Sequence, residues 1–209
     1  YDVFIDLNGD SIGEFFDLSA LERAKIKNND LSLSDIGISE PDSVIMRASE
    51  REMLSEFASY VRETDPDLIT GWNSGDSSTD GFDIPHIISR MKALDESPAP
   101  LSREGQVEVR QKGDDYIPEV AGRALYDLMD GWDDTKFTEP RSLRLNYAAQ
   151  AELGYSDDDV LEKIEHEMGF YEMYEKKPVK FINYNVRDTR ITVRVNEAAN
   201  ILGFKKRLK

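Results

Sequence analysis

Two side chains four residues apart, Tyr184 and Asp188, have the types and spacing to do chemistry together. On a helix that spacing puts them on one face, one turn from each other. A carboxylate holds a hard divalent cation through oxygen, and a phenol beside it can orient a water that such a cation makes nucleophilic. The surrounding stretch, Lys180 to Leu202, supports the helix. Phe181, Ile182, Val186, Thr189, Val193 and Asn196 recur near helical spacing, Pro178 offers a start and Gly203 a stop. Tyr-x-x-x-Asp alone is common by chance and on most helices means an exposed Asp and a half-buried Tyr, so the reading depends on the rest of the chain.

A second carboxylate, Asp83, follows Phe82 where a strand ending in Gly71-Trp72 gives way to a helix that Pro85 is expected to open. Helix starts present free N–H groups, and ligands of α/β sheets bind beyond the ends of strands. Asp83 there serves as a ligand or as a helix cap. Phe82 serves as a stacking surface for a base or as core. Asn73 serves as an amide for sugar or phosphate, or as a turn residue.

Composition limits the chemistry available to these groups. The 209 residues contain no Cys and two His, His86 and His166, so a metal would be held mainly by carboxylates, which favours magnesium or manganese. Without Cys there is no disulfide framework, which fits a cytoplasmic protein. No apolar run approaches membrane-spanning length, so no membrane partner is expected. The chain opens inside an apolar stretch and closes on FKKRLK, as though cut from something longer. The net charge is −16, from 42 acidic and 26 basic residues, which argues against binding a phosphate backbone. Salt adaptation, where screening shortens electrostatic range to a few Å, or a basic partner domain on the same chain would reconcile the two. The first is preferred.

Elements must position the candidates. YDVFIDL and IGEFFDL read as strands around an Asn8-Gly9 turn, residues 21–42 as a loop or short helix, and Ser43–Arg47 as a strand. Ser49 and Glu52 form a capping box for a helix ending near Thr64. A strand over 67–72, a polar loop over 73–81, the Pro85 helix, and a hairpin turning at Lys112-Gly113-Asp114-Asp115 follow. Gly122–Met129 reads as a strand, Leu143–Ala151 as a helix capped by Gly154, and Asp157 to about Tyr174 as an acidic helix. The alternation gives an α/β class with a mixed sheet flanked by helices, in a single domain over 1–209. Asp127 reads as a strand-end carboxylate with a structural or surface role, and Trp72 and Trp132 as packing residues. His86 reads as packing or solvent-facing, Asp157–Asp159 as a solvated helix start, and Lys205, Lys206, Arg207 and Lys209 as DNA contacts or, more simply, as complements of a helix dipole.

Taken in order, ASEREMLSEFASYVRETDPDLITGWN, FDIPHIISRMKAL, GRALYDLMDGWDDTKFTEPRSLRLNYAAQAELG and INYNVRDTRITVRVNEA resemble the proofreading exonuclease region of family B DNA polymerases, over about residues 43–209. The resemblance implies a ribonuclease-H-like fold, a two-metal 3′→5′ exonuclease, a single-stranded primer 3′ end as substrate, and a polymerase body beyond Lys209. It matches Asn73, Phe82 and Asp83 to the family's second exonuclease motif, and Tyr184 and Asp188 to its third. It therefore implies Asp83 and Asp188 as ligands of two divalent ions (Mg2+ or Mn2+) and Tyr184 as the residue orienting the attacking water. Asn73 and Phe82 would hold the primer end. With the acidic composition it suggests a haloarchaeal or haloviral parent, a DNA-directed DNA polymerase.

Two departures from the family pattern stand out. The family keeps its Asn two or three residues before Phe-Asp, whereas SGDSSTDG, eight residues, intervenes here. A flexible surface insertion is expected, leaving the Asp83 match firmer than that of Asn73. The family's first motif, Asp-x-Glu, is missing from the opening strand. Either Asp6-Leu7-Asn8 stands in its place, or the motif lies upstream of residue 1. The second is preferred, and it makes this piece alone a weak metal binder and nearly inactive. The rival reading is a degenerate exonuclease fold kept as a DNA-positioning module.

Overall fold

The opening strand β1 (Asp2–Asp6) runs parallel to β2 (Ser43–Arg47), with Asp2 facing Ser43 and Asp6 facing Arg47. The computed structural model describes residues 2–6, 43–47, 49–76, 81–155, 169, 172 and 178–207. The expected second hairpin strand IGEFFDL, the 21–42 stretch, Asn8 and nearly all of the expected acidic helix lie outside the described residues. The chain divides into two compact units, Tyr1–Met53 with Asp157–Thr189, and Leu54–Ser156 with Arg190–Lys209.

The expected capping at Ser49 is present at the start of α1 (Glu50–Thr64), where Ser49 Oγ accepts the Glu52 N–H at 3.2 Å. Leu54, Ala58 and Val61 recur at helical spacing and are buried. In the second unit, β3 (Leu68–Gly71) and β6 (Ala124–Asp127) are parallel, so Gly71 and Asp127 face each other at their C-terminal ends. β4 (Val107–Lys112) and β5 (Asp115–Val120) form an antiparallel hairpin. Its two-residue turn puts Gly113 at φ +66°, which glycine adopts without strain. The class is mixed α/β. Among the described residues the strands pair two by two rather than in one mixed sheet.

Helix α2 (Asp83–Ala93) buries Ile84, Pro85, Ile88 and Met91. Beyond β6 come α3 (Leu128–Asp134), α4 (Leu145–Leu153), α5 (Pro178–Ala199) and α6 (Ile201–Arg207). The cluster that holds this end of the unit contains Tyr126, Leu128, Trp132, Ala148, Ala149, Ile191, Val195 and Ile201. Trp132 is its largest member, and removing such a ring from a packed core costs about 3–5 kcal/mol. Its indole N–H donates to Glu152 Oε1 at 2.9 Å, and the Trp72 ring tilts against it with centroids 5.9 Å apart. The starts of both parallel strands are fixed by Arg123, whose side chain is buried. It donates to the carbonyls of Leu101 at 2.9 Å and Val61 at 3.3 Å, and to Asp65 Oδ1 at 2.9 Å.

Among the boundaries that differ from the sequence expectation, three have a specific physical reason. α2 begins at Asp83, two residues before Pro85, because the N–H groups of a helix's first turn have no intrahelical acceptor and proline loses nothing there. The strand expected over Gly122–Met129 stops at Asp127, which caps α3 by accepting the Met129 N–H at 2.9 Å. The last long helix ends at Asn200, φ +51°, not at Gly203, which lies inside α6. Among the described residues no helix is long and apolar enough to cross a membrane.

Candidate functional site

The site grows from the C-terminal ends of β3 and β6. After Gly71 and Trp72, Asn73 takes a left-handed φ of +63°, which asparagine tolerates better than most residues. The chain leaves this corner and returns at Gly81, where the two arms are sewn together. The Phe82 N–H donates to the Asn73 carbonyl at 2.7 Å, and the Ile84 N–H to the Ser74 carbonyl at 3.1 Å. Gly75, at φ +81°, backs onto Gly81, where any Cβ would collide with the Gly75 backbone nitrogen. The eight inserted residues therefore do not separate Asn73 from Phe82 and Asp83: the strand end and the helix start meet at the insertion's base. The sequence left the placement of Asn73 in doubt, and the backbone pairing brings it to Phe82.

Asp127 lies under this base, wholly buried. Its Oδ1 accepts the Asn73 N–H at 3.0 Å and its Oδ2 the Gly75 N–H at 2.8 Å, besides the Met129 bond that caps α3. The structural role expected of Asp127 is thus specific: it is the anchor of the corner. Sequence reasoning passed over that role. The available signal was an Asp placed where a strand hands over to a helix, a capping position.

Asp83 stands in the first turn of α2, where a negative charge is favoured by the helix dipole. It is a first-turn residue and not the cap, which is Phe82 and makes no side-chain capping bond. The residue as a whole is exposed, yet its carboxyl leans back over the strand end. A Cβ built on Gly71 would stand 3.8 Å from Asp83 Oδ2 and 3.4 Å from Ser74 Oγ. Partial burial pushes the Asp83 carboxyl above the usual range, the Asp127 charge pushes it further, and His86 works against both. Phe82 is 60% exposed. Its ring stacks on His86, one turn along, with centroids 4.9 Å apart and planes 14° from parallel.

Tyr184 and Asp188 lie on α5, Tyr184 buried and Asp188 half-buried. They belong to the first compact unit, whereas Asn73, Phe82 and Asp83 belong to the second. Among the described residues no three of His, Asp and Glu come together as a metal-holding group. The donor chemistry at Asp83 nonetheless suits a hard cation. A carboxylate whose charged form is disfavoured by burial and by a like charge gains from a cation beside it. The nearby Ser74 hydroxyl is buried and finds no hydrogen-bond partner among the described residues.

Comparison with known proteins adds to this geometry. Residues 13–143 match the family described as DNA polymerase family B, exonuclease domain, a span that contains Asn73, Phe82, Asp83 and Asp127. The chain is similar to a DNA polymerase of Pyrococcus glycovorans, 37% identical over 82 residues, covering 39% of this chain and 10% of that protein. It is similar to the DNA-directed DNA polymerase of Escherichia phage RB69, 28% identical over 146 residues, covering 67% of this chain and 15% of that protein. The DNA-directed DNA polymerase of Enterobacteria phage T4 is 27% identical over 146 residues, with the same coverage of 67% and 15%. These matches thus span only a small part of each relative's length.

Proposed function

Because the chain belongs to the exonuclease domain family of family B DNA polymerases, we propose that it is the proofreading 3′→5′ exonuclease region of a DNA-directed DNA polymerase. On this reading it is one exonuclease-like domain with a ribonuclease-H-like fold, continued C-terminally by a polymerase body. It removes mismatched nucleotides from a frayed primer 3′ end. The observation that carries the reading is the 2.7 Å bond from Phe82 to Asn73. It brings the backbone of Asn73 to that of Phe82, the residue before Asp83, at the end of a parallel strand pair inside the family-matched region.

The substrate is a single-stranded end, because a base must leave the duplex stack before a ring such as Phe82 can lie against it. Phe82 stacks on the terminal base, and Asn73 hydrogen-bonds the sugar or phosphate next to it. Asp83 and Asp188 supply oxygen ligands, and Tyr184 orients the attacking water. Two divalent ions, magnesium or manganese, when bound supply the activation of that water and the charge that stabilises the departing 3′ oxygen. The net charge of −16 fits a salt-adapted haloarchaeal or haloviral parent, whose DNA contacts form where screening is strong.

The test is degradation of a 3′-labelled single-stranded DNA by the full-length polymerase with manganese at high salt, against an Asp188→Ala variant. Excision that vanishes in the variant supports the reading. Equal excision by both places the activity elsewhere. DNA binding without excision in either identifies a degenerate module that only positions DNA.

A further inference from the structure

We propose that Asp127 is a positioning residue of the excision reaction, the buried anchor that sets where Asn73 and Asp83 stand. The inference rests on the exonuclease reading above and adds to it a residue outside the matched motifs. Asp127 ends β6 directly opposite Gly71, the last residue of β3. From there its carboxylate reaches under the corner that follows β3 and takes the N–H groups of Asn73 and Gly75. Each of these residues leads to the α2 start. The Asn73 carbonyl accepts from Phe82, and the carbonyl of Ser74, held between the two anchored residues, accepts from Ile84. Asp83 lies between those two donors. Two successive hydrogen bonds therefore connect a wholly buried carboxylate to the backbone on both sides of Asp83.

Asp127 is an anchor and not a ligand. A carboxylate offers about four lone-pair directions. Three accept the Asn73, Gly75 and Met129 N–H groups, and the residue has no exposed surface through which a substrate could reach it. The need for an anchor comes from the insertion. Eight residues between Asn73 and Phe82 would let the two arms drift unless something held their base, and a misplacement of about 1 Å can cost about 100-fold in rate. Gly81 closes the same base from the other side, because a side chain there would meet the Gly75 backbone.

The experiment is single-turnover excision of a 3′ single strand by the full-length polymerase, reading rate constant and amplitude separately, with nucleotide incorporation measured on the same preparations. Asp127→Asn keeps the shape but turns one acceptor into a donor facing an N–H. The expected result is a rate constant lowered about 10- to 100-fold at full amplitude, with incorporation unchanged. A purely structural role would lower the amplitude, through an inactive fraction, and leave the rate constant alone; that result overturns the inference. Gly81→Ala disturbs the same base with Asp127 intact and must also lower the rate constant. If Asp127→Asn does not fold, a wild-type rate constant in Gly81→Ala overturns the inference. Excision by the wild type that is lost in Asp83→Ala but kept in Asp127→Asn overturns this inference alone. A wild type that excises nothing overturns the exonuclease reading and this inference with it.

Discussion

The backbone N–H of Phe82 donates to the carbonyl of Asn73 over 2.7 Å, although eight residues separate them in sequence. This contact turns a stretched motif into a compact one. Its two ends are held by different forces: the Asn73 side by the buried Asp127 carboxylate, the Phe82 side by the burial of Ile84, Pro85, Ile88 and Met91 along α2.

On the proposed reading, the exposed Phe82 ring is what holds the substrate base. Base–aromatic stacking contributes about 1–3 kcal/mol per base. Phe82→Ala should therefore weaken binding of a short 3′ single strand by about 5- to 150-fold in Kd, measured by fluorescence anisotropy with metal chelated so that nothing is cut. Phe82→Trp should restore it. An unchanged Kd in the alanine variant would make the ring a bystander.

Arg123 predicts where the fold is most easily undone. Its guanidinium is buried, and three of its partners are backbone carbonyls, those of Leu101, Pro66 and Val61, the last of which also accepts the Asp65 N–H. Leaving buried acceptors unsatisfied costs about 1–3 kcal/mol each at most, so Arg123→Ala should destabilise the exonuclease region by about 3 kcal/mol. Arg103 bonds Asp65 and Asp67 on the exposed side of the same cluster, and Arg103→Ala should cost far less. Urea unfolding of both variants makes the comparison, and equal losses would contradict it.

Glu152 predicts a pH dependence. Partial burial acts to raise its carboxyl, but bonds from Lys136 and from the Trp132 indole outweigh it and hold the group below the ordinary value of 4.5. A folded-state value below the unfolded one contributes stability that is present above about pH 4.5 and lost as the pH falls through the depressed value. The wild type should therefore lose more stability than Glu152→Gln between about pH 6 and pH 3, read from melting temperatures across that range. Parallel losses would remove Glu152 from the account.

The sequence made local features legible where one residue type has one physical use. Ser49 three residues before Glu52, Gly113 in a two-residue turn and Gly154 after α4 each satisfy or release a specific backbone group. It misled where a residue has two uses. Pro85 signals a helix start but is equally tolerated at the third helical position. Gly203 signals a stop but fits within α6 once Asn200 has already broken α5. The candidate site was half legible. Asn73, Phe82 and Asp83 were chosen by motif, but their meeting depends on hydrogen bonds between segments the insertion separates. The third partner in that meeting, Asp127, lies 44 residues beyond Asp83 in the chain. No local pattern encodes a contact of that range. The parallel register of β3 with β6 creates it.

On the proposed reading, excision depends on both Asp83 and Asp188. That claim is tested most directly by the single-turnover rate at which the full-length polymerase removes a mismatched 3′ nucleotide, in Asp83→Asn, Asp188→Asn and the double variant. Groups that act together lose their contribution when either is removed. Each single variant should fall at least about 10³-fold, and the double variant should fall little further. A single variant near the wild-type rate, or a double variant slowed by the product of the two single effects, would contradict the claim.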